Sequence, residues 1–495
     1  MKKYLPLILI LAVIKFSVQW IGNYNYGFHR DELLHLSVSE HLDWGFMEFP
    51  PLIAFIGKLS YMLFDYNLLG VRLFPTLAGV SILILCCLIT KELGGKFRAV
   101  LLSGVCILAF IPFYRNHTLF QPVAFDQLFW TLGFYFLVKF INSKNKKFLI
   151  LLGITLGLGL LNKYTILVWA FGVFIGLLFY DKAKLYKDKW LYISGIVALL
   201  IVTPNIIWQF TNDFPLMRHM QALNENQLDA IDPWKFILDQ LELLFTFIVF
   251  LLGIVGLIFS KNLKHYKFLG ITCIVIFMTM WLMSAKTYYV FALYPILFSA
   301  GSVFIESLFK KRLNLIYLIA ALIVLPIIYY IPDATPVLPI EDYIEYKGLE
   351  EVEGRYELTG DYADMFGWEE KVKLVDSVYQ SLSADEKKNC VIWAENYGEA
   401  GALKVLGKKY GLPNPISRHG SFWIWGFDNK NAKVWISLGN EKPSVEHVFK
   451  DIELVKMITH KYAIDEEHNI PLYICRNPKI DITDWWKAYE PHIFD

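Results

Sequence analysis

The chain has 495 residues, of which 56% are hydrophobic and only 19% charged, and its mean hydropathy is +0.42. Soluble domains typically contain about 45–50% apolar and about 25% charged residues, so this composition excludes a wholly soluble protein. The aromatic content of 16% suits a membrane protein with two interfacial belts. The net charge of +1 gives no sign of a nucleic-acid partner, and none is expected.

Long apolar stretches predict an all-α polytopic membrane protein with about eleven transmembrane helices. A helix needs about 17–25 mainly apolar residues to cross the hydrocarbon core. Lys2 and Lys3 precede the first stretch, which has no small-residue cleavage site before Trp20, so we expect a retained span rather than a signal peptide. The predicted spans are 4–22, 68–90, 99–114, 118–141, 148–162, 164–180, 190–210, 236–259, 268–284, 288–307 and 313–331.

Basic residues alternate between the connecting loops and so predict the orientation. Loops rich in Lys and Arg stay in the cytoplasm, which puts the N-terminus inside and, after an odd number of spans, the C-terminal region outside. We therefore expect a multi-pass protein of the inner (plasma) membrane with an extracytoplasmic C-terminal domain. The basic loops hold Lys91, Lys96 and Arg98; Lys144, Lys146 and Lys147; Lys182, Lys184, Lys187 and Lys189; Lys261, Lys264 and Lys267; and Lys310, Lys311 and Arg312.

The loop and hydropathy patterns predict two domains. Residues 1–331 form the transmembrane domain, whose first outer loop, 23–67, is long enough for two interfacial helices, the second of them over 51–64. Residues 332–495 form a small α/β or α+β domain, with strands expected at Val391–Ala394, Val434–Ser437 and Leu472–Cys475. If this domain is extracytoplasmic, Cys390 and Cys475 could pair, but two cysteines do not prove a disulfide.

Ionisable residues in or beside the apolar spans concentrate on the predicted outer side. An ionised side chain inside a span costs at least a few kcal/mol, so such a residue usually has a partner and a function. The cytoplasmic loops offer only short basic connectors, and the asymmetry indicates one outward-facing site. Its candidate residues are Asp31, Glu32, Arg115, His117, Asp126, Lys163 and Lys286.

Each carboxylate of this set has a structural alternative. Asp31 could simply cap the first loop helix, with Glu32 favouring its dipole, or it could be a general base for an acceptor hydroxyl. Asp126 could form a buried ion pair with Arg115 or Lys163, and even that pair would border the site.

The two lysines are accompanied by tyrosines. Lys163 precedes Tyr164, and Lys286 is followed two and three residues later by Tyr288 and Tyr289. These lysines could snorkel to the lipid headgroups, or they could bind a lipid phosphate by charge and hydrogen bonding.

Two further patterns in the sequence do not indicate functional sites. His29, Asp31, Glu32 and His35 could together bind a divalent ion, but not all of them can reach one point, and we expect no metal. Gly153, Gly157 and Gly159 in GITLGLG are typical of close helix packing in a membrane rather than of a phosphate loop.

Several segments together carry a family resemblance. Residues 27–79, which begin GFHRDELLHL, resemble the first outer loop and second span of bacterial glycosyltransferase family 39. That family includes the dolichyl-phosphate-mannose protein mannosyltransferases and the lipid A aminoarabinose transferases. The similarity continues through PVAFDQLFWTL, GLLNKYTIL, VTPNIIWQF and KTYYVFALYPILFSAG, and residues 395–426, beginning ENYGEAGALK, resemble the soluble domain of a bacterial subgroup.

The resemblance implies a GT-C fold and inverting transfer from a polyprenyl-phosphate sugar donor outside the cytoplasm, with no cofactor or metal. By motif, Asp31, Glu32 and Asp126 match the catalytic acidic positions, and Lys163, Lys286, Tyr288 and Tyr289 match positions of phosphate contact. We place Tyr164, Arg115 and His117 with the substrate-binding residues. The chain lacks the repeat domain of the eukaryotic protein mannosyltransferases, so a lipid or glycan acceptor is expected rather than a protein. The alternative is a polytopic transporter or lipid flippase, for which the one-sided polar residues are unusual.

Overall fold

The computed structural model of the chain describes residues 2–225, 232–241, 244–426, 429 and 432–490. They form two compact units. The helical unit comprises Met1–Asn23, Phe49–Ile53 and Arg72–Val337, and the mixed unit comprises Tyr24–Glu48, Ala54–Val71 and Leu338–Asp495. The boundary at Val337 lies close to the predicted one, but most of the first loop, assigned to the transmembrane domain from the sequence, clusters with the C-terminal residues.

The first two thirds of the chain are helical. Short 3-10 segments at Asp181–Lys187, Lys264–Tyr266 and Thr287–Leu293 interrupt the helices. The α-helices are α1 (Leu5–Tyr24), α2 (Arg30–Val38), α3 (Leu52–Phe64), α4 (Leu68–Glu92), α5 (Phe97–Ala109), α6 (Pro112–Thr118), α7 (Pro122–Ser143), α8 (Lys147–Asn162), α9 (Ile166–Leu178), α10 (Lys189–Thr211), α11 (Pro215–Leu223), α12 (Pro233–Leu241), α13 (Leu244–Phe259), α14 (Lys267–Leu282), α15 (Tyr294–Leu308) and α16 (Leu315–Ala334).

These helices confirm a polytopic membrane protein. Within the described part of the chain, seven helical segments are long and apolar enough to span a membrane, and two bent helix pairs raise the number to nine. The predicted spans 148–162 and 164–180 correspond to α8 and α9, which are apolar but shorter. The predicted span 99–114 is bent by 68° between α5 and α6, where Pro112 starts a new helix. The other bent pair is α12 and α13, whose junction at 242–243 lies outside the described residues.

Small residues determine the closest helix contacts of the helical unit. A Cβ placed on Gly153 of α8 would lie 2.3 Å from the Ser194 carbonyl oxygen of α10, and one on Gly157 would lie 2.7 Å from Ile201. This confirms GITLGLG as a packing motif.

The C-terminal residues form a small mixed sheet covered by helices. The elements are α17 (Ile340–Lys347), β1 (Glu351–Val352), β2 (Arg355–Tyr356), α18 (Gly360–Ala363), α19 (Trp368–Ser381), α20 (Ala384–Lys388), β3 (Cys390–Ala394), α21 (Tyr397–Val405), β4 (Pro415–Ile416), α22 (Gly420–Trp425), β5 (Val434–Leu438), α23 (Lys442–Val448), β6 (Phe449–Ile458), β7 (Ile470–Pro478) and α24 (Ile482–Ala488). The sheet has the order β4-β3-β5-β7-β6, in which β3 is parallel to β4 and β5, and β7 is antiparallel to β5 and β6. Strands β1 and β2 form a separate antiparallel pair. The three predicted strands lie in β3, β5 and β7.

The sheet separates the two cysteines of this region. Cys390 lies on β3 and Cys475 on β7, with β5 between them. Two strand spacings amount to roughly 9.5 Å, whereas disulfide-bonded residues usually have Cα atoms about 4.4–6.8 Å apart. Both thiols are therefore free and buried, and the disulfide left open by the sequence is not formed.

Glycines of α21 explain why the first loop clusters with the C-terminal residues. A Cβ on Gly401 would lie 2.9 Å from the Leu33 backbone of α2, and one on Gly398 would lie 3.2 Å from Arg30 Cβ. Because α21 has no side chain at these two positions, α2 packs directly on its backbone.

Candidate active site

The start of α2 is fixed by its own side chains. His29 is the N-cap residue, its Nδ1 accepts the Asp31 backbone N–H at 3.1 Å, and Glu32 Oε2 accepts the His29 backbone N–H at 2.9 Å. The capping box therefore uses His29 and the buried Glu32. The interpretation of Asp31 as the cap is wrong, because Asp31 occupies the second helical position.

The Asp31 carboxylate accepts a hydrogen bond from the C-terminal part of the mixed unit. The Tyr397 hydroxyl donates a hydrogen bond to Asp31 Oδ1 at 3.0 Å. Burial and the neighbouring Asp31 charge raise the pKa of Tyr397 above its ordinary value, so the hydroxyl keeps its proton and acts as the donor.

Several charged side chains lie close to Asp31 and Tyr397. Arg30 Nε donates to Asp364 Oδ1 at 2.7 Å, and His29 Nε2 lies 3.5 Å from Asp364 Oδ2 and 3.6 Å from Asp361 Oδ1. Burial opposes protonation of His29, but the nearby carboxylates of Asp361, Asp31 and Asp364 outweigh it and raise its pKa. Among the described residues, no group of three or more His, Cys, Asp or Glu side chains is arranged to hold a metal ion, and His29 and Glu32 are engaged in the cap.

Asp126 has a quite different environment in the helical unit. It lies in the first turns of α7 and is buried, with 4% of its surface exposed. Its two oxygens accept hydrogen bonds from Trp130 Nε1 at 3.1 Å and from Thr165 Oγ1 at 2.8 Å. Lys163 interacts with it electrostatically. The structure thus favours Lys163 over Arg115 as its charged partner.

Lys163 ends α8 and is turned toward two tyrosines. The residue has extended backbone, and its Nζ lies 4.1 Å from the Tyr289 ring centroid and 5.3 Å from that of Tyr288. The two rings pack edge to face at 4.7 Å. Lys163, Tyr288, Tyr289 and Asp126 therefore come together, although they lie on three separate chain segments.

Lys286 joins this group and introduces a residue that the sequence analysis missed. It precedes the 3-10 segment that carries both tyrosines and acts electrostatically on Tyr289. It also faces His219 of α11, whose pKa is lowered to about 4 by burial and by the Lys286 charge. His219 is therefore neutral at physiological pH. No motif surrounds it in the sequence.

The remaining predicted residues are Arg115 and His117 of α6 and Tyr164 of the turn between α8 and α9. Arg115 Nη1 donates to Gln121 Oε1 at 3.5 Å, and the buried His117 ring pairs its Nε2 with Gln127 Oε1 at 3.0 Å. Tyr164 donates its hydroxyl proton to Asn205 Oδ1 of α10 at 2.6 Å.

A buried lysine in the first span was also missed. Lys15 Nζ donates to Gln19 Oε1 at 2.8 Å and to the Phe113 carbonyl at 3.3 Å, and it lies 3.7 Å from the Tyr114 ring centroid. Lys15 thus donates a hydrogen bond to the backbone of α6, close to the break between α5 and α6. Its signal was present in the sequence, since a lysine within an apolar span needs a partner.

Residues 48–208 match the family profile described as dolichyl-phosphate-mannose-protein mannosyltransferase. No curated protein sequence matches the chain significantly.

Solved structures share the fold. The crystal structure of ArnT from Cupriavidus metallidurans bound to undecaprenyl phosphate has a TM-score of 0.62 at 12% identity, covering 96% of this chain and 98% of that one. The same protein in the apo state gives a TM-score of 0.61 at 12% identity, with the same coverage of 96% and 98%. The Archaeoglobus fulgidus oligosaccharyltransferase tethered with an acceptor peptide gives 0.52 at 12% identity, covering 88% of this chain and 69% of that one.

Proposed function

We propose that the chain is a membrane glycosyltransferase of the GT-C kind, because residues 48–208 match the family profile described as dolichyl-phosphate-mannose-protein mannosyltransferase and its fold is shared with ArnT. It transfers a sugar from a polyprenyl-phosphate donor, with inversion, to an extracytoplasmic lipid or glycan. The fold of a protein crystallised with undecaprenyl phosphate supports this donor class.

The observation that carries the proposal is the cationic cluster in the helical unit. Lys163 stands over Tyr288 and Tyr289, and Lys286 acts electrostatically on Tyr289. Two ammonium groups and two phenolic hydroxyls provide charge and hydrogen-bond donors suited to a phosphate. Asp126 keeps Lys163 in place by its charge. As the donor bond breaks, negative charge grows on the leaving phosphate, and preorganised positive groups stabilise it.

We propose the following bond changes. The acceptor hydroxyl oxygen attacks the anomeric carbon on the face opposite the phosphate, the bond from that carbon to the phosphate oxygen breaks, and polyprenyl phosphate leaves with the electron pair. We assign Asp31 as the base that accepts the hydroxyl proton. Glu32 supports Asp31 indirectly through the cap of α2. Lys163 and Lys286 supply the positive charge, so the scheme needs no metal or cofactor.

We propose an orientation with the N-terminus in the cytoplasm and the C-terminal residues outside the inner membrane. The alternation of basic loops supports it. A reporter fused after residue 147 or 312 should be cytoplasmic and one fused at residue 495 extracytoplasmic, and the opposite pattern would overturn this orientation.

The function is tested by replacing Asp31 with Asn in the purified, detergent-solubilised protein. Transfer of labelled sugar from polyprenyl phosphate should fall about 10²–10⁴-fold, because the amide cannot accept the proton, while donor binding should persist. Asp43→Asn, in the same loop, is the control and should keep normal turnover. Near-normal turnover of Asp31→Asn would remove Asp31 as the base and make Asp126→Asn the next variant.

A further inference from the structure

We infer that the C-terminal part of the chain supplies a positioning residue for catalysis: Tyr397 orients the Asp31 carboxylate for proton transfer. This inference rests on the proposed function, in which Asp31 is the base. Its geometric basis is the 3.0 Å hydrogen bond from the Tyr397 hydroxyl to Asp31 Oδ1.

The position of Tyr397 is set by the sheet and by a cap. It is the first residue of α21, three residues after the end of β3, the strand that lies between β4 and β5. Asn396 caps this helix, because its Oδ1 accepts the backbone N–H groups of Gly398 at 2.8 Å and Glu399 at 3.0 Å. The tyrosine therefore starts from a fixed backbone.

The ring and its partner helix are fixed as well. His419 packs edge to face against the Tyr397 ring at 5.3 Å, on the side of α22. Gly398 and Gly401 let α2 lie against α21, and this close packing brings Asp31 of α2 within hydrogen-bond distance of the Tyr397 hydroxyl. The motif ENYGEAG at 395–401 thus contains the cap, the donor and both close-contact glycines.

The charges around Asp31 show why a neutral donor matters there. The neighbouring groups come from α2, from the residues around α18, from the 3-10 turn at Asp465–Glu467 and from the segment before α22. Among them, the charge of Asp364 opposes the ionised form of Asp31, whereas a protonated His29 favours it. A hydroxyl bonded to Oδ1 favours that form and limits rotation of the carboxylate. The groups are His29, Arg30, Asp361, Asp364, Glu466, Glu467 and His419.

Tyr397→Phe keeps the ring and removes only the hydroxyl. We expect kcat for sugar transfer to fall about 10-fold or more with little change in the KM for the donor, since one hydrogen bond to a charged group is lost. We also expect the acid limb of the kcat–pH profile to move to higher pH, because the ionised carboxylate loses a stabilising donor.

Tyr66→Phe is the matched control. The Tyr66 hydroxyl donates to Glu40 Oε1 at 2.9 Å in the same unit, away from Asp31, so this variant should keep both kcat and the pH profile. Wild-type kcat and pH profile in Tyr397→Phe would overturn the inference, as would an equal shift in Tyr66→Phe. A harmless Asp31→Asn in the same assay would instead overturn the assignment of the base, so the two failures are distinguishable.

Discussion

The two candidate catalytic aspartates, Asp126 and Asp31, belong to different units and lie in different environments. In the helical unit, Asp126 is buried among apolar helices and accepts hydrogen bonds from two neutral groups, Trp130 and Thr165. In the mixed unit, Asp31 is bonded to Tyr397 and lies beside Arg30, which is itself paired with other carboxylates. Where charges are few, a single ammonium such as Lys163 dominates the local field, which suits phosphate binding. Where they are many, a hydrogen bond such as the one from Tyr397 to Asp31 orients the carboxylate, which suits proton transfer.

The same contrast extends to packing. The helical unit brings helices together through glycines such as Gly153, whereas the mixed unit buries ion pairs such as Lys371 with Glu467. We therefore expect the helical unit to respond mainly to added volume and lost cations, and the mixed unit to respond to pH.

Removing the two lysines of the helical unit should have the largest effect. Lys163→Ala and Lys286→Ala should each weaken donor binding by about one to two orders of magnitude, because a charged hydrogen bond to phosphate is worth about 1.5–3 kcal/mol. The double variant should lose about 10²–10⁴-fold if both ammonium groups contact the same phosphate independently. The measurement is equilibrium binding of polyprenyl-phosphate sugar to the detergent-solubilised variants.

Lys144→Ala provides the control for this prediction. Lys144 also stands over a tyrosine, 5.2 Å from the Tyr180 ring centroid, with its Nζ 2.6 Å from the hydroxyl, but it belongs to a basic connector. Its loss should leave donor affinity unchanged. Unchanged affinity for the donor in the Lys163 and Lys286 variants would mean that both lysines only extend to the lipid headgroups and do not bind the donor phosphate.

Hydropathy and motifs predicted much of this molecule because they depend on local sequence. Each predicted span contains helix, and GITLGLG packs as expected. The bend at Pro112 was not predicted, because an apolar stretch with one proline has the same hydropathy whether it is straight or broken. The cap at His29 was also missed, since histidine is an uncommon N-cap and the adjacent Asp31 is a common one.

Long-range pairings set the limit of the sequence analysis. Tyr397 meets Asp31 across 366 residues, and nothing in either motif names the other. His219 was missed because its environment depends on Lys286, which is distant in the sequence. Lys15 was missed although a lysine within an apolar span indicates a buried partner. By contrast, Lys163, Tyr288 and Tyr289 were all predicted to contact phosphate, and they do lie close together. This proximity could be predicted because each residue lies at the end of an apolar span.

The stability of the mixed unit should depend on pH because of one buried carboxyl group, that of Glu399. Burial and the charge of Glu467 raise the pKa of Glu399 from 4.5 to about 8. Because the folded unit holds this proton more tightly than the unfolded chain, the stability from Glu399 is complete below pH 4.5 and is lost as the pH rises to about 8. The loss is on the order of 1.4 kcal/mol per pH unit within that window.

Replacing Glu399 with Gln should remove this slope. The amide oxygen can still accept the Glu395 backbone N–H, which Glu399 accepts at 2.9 Å. Thermal unfolding followed by tryptophan fluorescence should show Glu399→Gln gaining on the wild type between pH 5 and pH 8. The exposed Glu369→Gln is the control, and parallel pH curves for Glu399→Gln and the wild type would contradict the prediction.

The smallest effect is expected from single methyl groups in the helical unit, and two glycines of packed helices give a matched pair. A Cβ on Gly153 would lie 2.3 Å from the Ser194 carbonyl oxygen, a backbone atom that cannot turn aside, so Gly153→Ala should separate α8 from α10 and cost about 1–3 kcal/mol. Gly195, in α10 itself, would place a Cβ with nothing within 4 Å, so Gly195→Ala should be neutral or stabilising by up to about 1 kcal/mol. Melting temperatures of both variants in the same detergent test the pair. If Gly153→Ala melts no lower than Gly195→Ala, close glycine packing does not hold α8 and α10 together.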